Sequence, residues 1–80
     1  MTIASRFTFA DQRRIGKVLN VMKSLAEHDD FFETAVEQFN STTGEEKLDM
    51  CNYLLDIYNS TRECDFMTLE EAVMLSAYPA

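Results

Sequence analysis

Apolar side chains recur along this chain at helical spacing in four separate stretches, each divided from the next by a few polar residues. In the first, Ile15, Val18, Leu19, Met22, Leu25 and Ala26 follow the i, i+3, i+4, i+7 rhythm of an amphipathic helix. The second carries Phe31, Phe32, Ala35, Val36 and Phe39 on one side. In the third, Leu48, Cys51, Leu55 and Tyr58 form one row, which Met50, Tyr53, Leu54 and Ile57 continue around the cylinder. That apolar arc covers about 220° at 100° per residue, leaving Asp49, Asn52 and Asp56 as the polar side. The fourth stretch, after Thr68, is short and meets Pro79, which cannot continue a helix.

Each stretch is preceded by a residue able to cap a helix, with an acid three positions on. The pairs are Thr8 and Asp11, Asp30 and Glu33, Thr43 and Glu46, and Thr68 and Glu71. A cap oxygen accepts from a free backbone N–H of the first turn, and the acid complements the positive end of the helix dipole. The spacing predicts an all-α fold: a small compact four-helix domain over residues 1–80, with helices at about 9–27, 31–40, 44–59 and 69–78. Residues 1–8 precede the first cap. Ile3, Phe7 and Phe9 share one parity there, and we expect an extended N-terminal arm laid across the bundle, with strand pairing across a dimer as the lesser alternative.

Gly16 interrupts the first helix at the edge of its apolar stripe, where we expect a neighbouring backbone to approach closely. The breadth of the third helix's arc makes it either the central helix of the domain or one half of an interface. Met50, Tyr53 and Ile57, spaced i, i+3, i+7, are the stripe we expect to meet a partner or a second copy, rimmed by Glu45, Glu46 and Asp49.

Composition narrows the function more than any motif does. Two Gly and one Pro give little turn chemistry for a β fold, and one His with no Trp removes many imidazole-dependent sites. His28 sits at the end of the first helix, where its charge suits the dipole. Cys51 and Cys64 lack paired metal-ligand spacing and are expected as free thiols, so no metal, cofactor or catalytic residue is assigned. Asn59, Thr61, Glu63, Asp65 and Glu70 fall at positions 1, 3, 5, 7 and 12 of a calcium-loop outline. Cys64 stands at position 6, where that loop needs Gly for its turn, so a plain interhelical loop is expected. No apolar run reaches membrane-spanning length, and the first nine residues are too polar for a secretory leader, which leads us to expect a cytoplasmic protein.

The charge is unevenly placed. Residues 1–23 balance to +4, whereas residues 24–80 balance to −11, for a net charge of −7. Such a field steers charged partners over long range. The expected function is a non-enzymatic acidic protein–protein interaction module. The size and charge suit a small inhibitor or regulatory adaptor, of the phage or mobile-element kind, that blocks a basic nucleic-acid-binding surface of a host protein. The alternative is nucleic-acid binding, or an assembly subunit, using the basic first helix through Arg6, Arg13, Arg14 and Lys17. A third reading has those cations paired with acids of the later helices, within the fold or across a dimer.

Overall fold

The computed structural model describes residues 7–77. Four helices follow in chain order: α1 (Phe9–Ala26), α2 (Asp30–Ser41), α3 (Glu45–Glu63) and α4 (Leu69–Ala77), with no strand among the described residues. The all-α reading holds. The expected arm lies outside the described residues except for its last two. Phe7 packs against the core, and its carbonyl accepts from Gln12 Nε2 at 3.1 Å.

Two of the four expected caps form as spaced. Thr8 Oγ1 accepts from the Asp11 N–H at 3.1 Å, and Thr68 Oγ1 from the Glu71 N–H at 3.1 Å. At α2 the cap is Asp29, one residue earlier than Asp30, and its carboxylate accepts from the Phe31 N–H at 2.8 Å. At α3 the Thr43 side chain plays no part. The N-cap is Gly44 at φ 71°, a left-handed conformation that favours glycine, and its carbonyl accepts from the N–H groups of Lys47 and Leu48. The helix starts one residue too late for Thr43 to reach it.

α3 also runs four residues beyond its expected end at Asn59. Ser60 Oγ donates to the Asp56 carbonyl and Thr61 Oγ1 to the Ile57 carbonyl, so these hydroxyls bond back into the helix and do not break it. Asn59, Thr61 and Glu63 are therefore helical, which removes the first half of the calcium-loop outline. Among the described residues, no group of three His, Cys, Asp or Glu side chains stands close enough to hold a metal ion.

The core joins Ile15, Val18 and Met22 of α1 to Phe32 and Phe39 of α2, Cys51, Leu54 and Ile57 of α3, and Ala72 and Val73 of α4. The hub is α1, not α3: α1 packs against all three other helices, and α3 packs against α1 and α4. Consequently the buried face of α3 is turned by roughly 80° from the Leu48, Cys51, Leu55, Tyr58 row, at about 100° per residue. Leu54 and Ile57 enter the core, while Leu48, Leu55 and Tyr58 are only half-buried. α4 supplies the reason, because Ala72 and Val73 need an apolar surface on that side of α3. No described helix is long and apolar enough to cross a membrane.

Candidate functional site

Because α2 and α3 each pack chiefly on α1, they make little contact with one another. A groove is left between them. Its middle is a cavity of about 180 Å³ with Leu19 and Met22 of α1 at its base, Ala35, Gln38 and Phe39 on the α2 wall, and Met50, Tyr53 and Leu54 on the α3 wall. Towards α4 it continues into a smaller hollow bounded by Phe31, Ala35, Tyr53, Ile57, Val73 and Ser76. In the other direction it widens into a polar mouth formed by Gln38, Thr42, Glu46, Asp49 and Met50. The shared linings, Ala35 and Tyr53 on one side and Gln38 and Met50 on the other, make the three hollows one continuous feature.

The structure divides the Met50, Tyr53, Ile57 stripe. Ile57 is 4% exposed and belongs to the core, Met50 is half-buried, and Tyr53 is 49% exposed. The Tyr53 hydroxyl donates to the Ser76 carbonyl at 3.2 Å, which ties the ring to α4 and holds it on the groove wall. Phe31, on the facing wall, is 48% exposed, and its ring meets Phe32 edge-on with centroids 5.4 Å apart. Glu46 and Asp49 stand at the polar mouth; Glu45 is exposed but does not line it.

Phe31, Ala35, Gln38 and Thr42 are groove residues that the sequence did not single out. Ala35 carried a signal, since it lies on the apolar side of α2, and Phe31 is a large aromatic in that helix's first turn. Gln38 on α2 and Thr42 at its C-cap carried none, because exposed polar residues look alike until the facing helix is known.

The cations of α1 are differently disposed. Arg14 donates to Asp11 at 3.1 Å within its own helix, and its guanidinium lies 5.9 Å from the centroid of the Tyr58 ring. Lys17 Nζ lies 6.0 Å from the same ring. Arg13 is exposed, and Arg6 lies outside the described residues. Within one chain, the third reading, with these cations paired to acids of the later helices, finds no such pair among the described residues. Lys47, one of two cations in the acidic part of the chain, is turned inward: Nζ donates to the Phe39 carbonyl in the last turn of α2 and sits 3.6 Å from the Phe39 ring centroid. There it complements the negative end of the α2 dipole and contributes little to the outer surface. Glu33, Glu37, Glu46, Asp49, Glu70 and Glu71 have no cation within 4 Å among the described residues.

A second, apolar cavity of about 290 Å³ lies nearer the start of α1, lined by Phe7, Gly16, Lys47 and Cys51 among others, and it shares Leu19 and Phe39 with the middle of the groove. A Cβ built on Gly16 meets nothing within 4 Å, so the close backbone approach expected there is absent. Burial pushes the Cys51 thiol above its ordinary range, with the nearby Lys47 charge acting in the opposite sense. Comparison with protein-family models, curated proteins and solved structures gives no match to this chain.

Proposed function

We propose that this chain is a non-enzymatic acidic interaction module that docks on a basic surface of another protein, acting as a small inhibitor or regulatory adaptor. The observation that carries this reading is the uncompensated acidity of α2–α4. Their carboxylates lack cation partners among the described residues, while Lys47 is drawn inward and Arg14 is held within α1. A net charge of −7 distributed this way sets up a long-range field that speeds encounter with a positively charged partner and repels nucleic acid. The α2–α3 groove adds an apolar surface beside those charges, which gives the contact a desolvated centre as well as a charged rim. The alternative contact through Arg13, Arg14 and Lys17 is less favoured, because Arg14 and Lys17 are already engaged with Asp11 and Tyr58.

The test is capture from a lysate of the native host at low and at high salt, with the natural chain and with a Glu46→Gln, Asp49→Asn variant as baits. The expected partner is a basic protein retained at low salt, lost at high salt and depleted on the neutralised bait. A partner held equally by both baits at both salts would refute the electrostatic reading. A salt-sensitive gel shift of random duplex would favour the nucleic-acid alternative.

A further inference from the structure

The two walls of the groove carry matching stripes. On α2 and its C-cap, Phe31, Ala35, Gln38 and Thr42 are spaced i, i+4, i+7, i+11; on α3, Glu46, Met50, Tyr53 and Ile57 repeat that spacing. Eleven residues at about 1.5 Å rise make each wall about 16 Å long, or three helical turns. The walls run in opposite chain directions, since Phe31 shares its hollow with Ile57 and Thr42 shares its own with Glu46. The groove therefore grades from aromatic and aliphatic at the Phe31 end to carboxylate at the Thr42 end.

We infer that the occupant of this groove is a single amphipathic helix of about three turns presented by a basic protein. Its apolar side chains at i, i+3 or i+4, and i+7 lie over Met22, Ala35 and Tyr53, and a Lys or Arg at one end meets Glu46 and Asp49. This rests on the interaction-module reading proposed above and names the element that reading leaves open. Three observations select it. The length of the walls matches a short helix with apolar anchors one and two turns apart. The walls are helices whose backbone groups are already bonded internally, so they offer no edge to an extended strand, whereas a helix brings its own backbone bonds satisfied. The mouth carboxylates have no cation partner among the described residues, and a second copy would bring another −7 of like charge where a basic helix brings the opposite sign.

The experiment is a two-dimensional amide NMR titration of the whole chain at low salt with a Leu/Lys peptide of four turns. Its leucines are placed at helical spacing, and a scrambled peptide of identical composition serves as the control. The expected result is shifts concentrated at Ala35, Gln38, Met50 and Tyr53, with the scrambled peptide binding about tenfold more weakly. The Glu46→Gln, Asp49→Asn variant should also weaken the amphipathic peptide several-fold. Equal binding of both peptides, with shifts spread over the acids of α2–α4, would overturn the helix-in-groove inference and leave the acidic module intact. No binding by either peptide would overturn both. A free chain that sediments as a dimer, with Tyr53→Asp restoring the monomer, would assign the groove to a second copy and overturn the inference as well.

Discussion

Replacing Ile57 by Asp and, separately, Tyr53 by Asp places the same carboxylate at two positions one helical turn apart on a single stripe of α3. The structure requires opposite outcomes. Ile57 is 4% exposed and sits with Leu54, Ala72 and Val73 in the core. Its removal forfeits roughly 2–5 kcal/mol of packing and burial. The new carboxylate then lacks a hydrogen-bond partner in apolar surroundings, which adds about 1–3 kcal/mol or more. A chain of 80 residues has a total stability of roughly 4–12 kcal/mol. Ile57→Asp should therefore leave the chain largely unfolded at room temperature.

Tyr53 is half exposed, so its substitution gives up about 1 kcal/mol of ring burial. Loss of the hydroxyl bond to Ser76 adds about 0.5–1.5 kcal/mol. The new carboxylate remains in contact with water. A loss of about 2 kcal/mol corresponds to a drop in melting temperature of roughly 8–16 °C, with the fold retained. Far-UV circular dichroism, followed through thermal and urea unfolding, separates the two cases. A cooperative melt for Ile57→Asp close to that of the natural chain would refute the placement of the α3 face, as would an unfolded Tyr53→Asp.

Gly16→Ala should raise stability by about 0.5–1 kcal/mol in the same melts, because Ala is the better helix former and its methyl group enters open space; a lower melting temperature would show that the site is tighter than it looks. Thr8→Ala and Thr68→Ala should each cost about 1 kcal/mol, whereas Thr43→Ala should be nearly neutral in urea titrations, since only the first two side chains cap a helix. Thiol alkylation of the native chain should modify Cys64 well before Cys51, and equal rates would contradict the burial of Cys51. Because burial raises the Cys51 thiol above its unfolded value, its contribution to stability is complete below the unfolded thiol's own titration and declines as the pH rises through the folded one. Urea midpoints measured upward from neutral pH should show that decline, and a Cys51→Ala chain should lack this component of it.

The number and order of the helices were legible because helix formation draws on neighbours three and four residues away. Apolar spacing and cap residues such as Thr8 and Thr68 carry that information locally. Helix edges were less legible where two neighbours compete for one role, as Asp29 and Asp30 do. At α3 a glycine backbone, not the Thr43 side chain, turns the chain into the helix. α3 runs past its expected end at Asn59 because the Ser60 and Thr61 hydroxyls bond back into the helix, and the apolar spacing that marks the helix carries no sign of those bonds.

Which part of the broad α3 arc is buried could not be settled by a repeat that fits almost every residue in it. A helix apolar over about 220° is locally consistent with several orientations, and only its neighbours choose among them. α1 and α4 make that choice by packing against Leu54 and Ile57, leaving Tyr53 at the surface. The candidate site divides along the same line. Met50, Tyr53, Glu46 and Asp49 share one face of one helix and could be read together, whereas Phe31, Ala35, Gln38 and Thr42 join them only because α2 and α3 lean on α1 and stand apart. A groove is a relation between two helices, and local periodicity describes each helix alone.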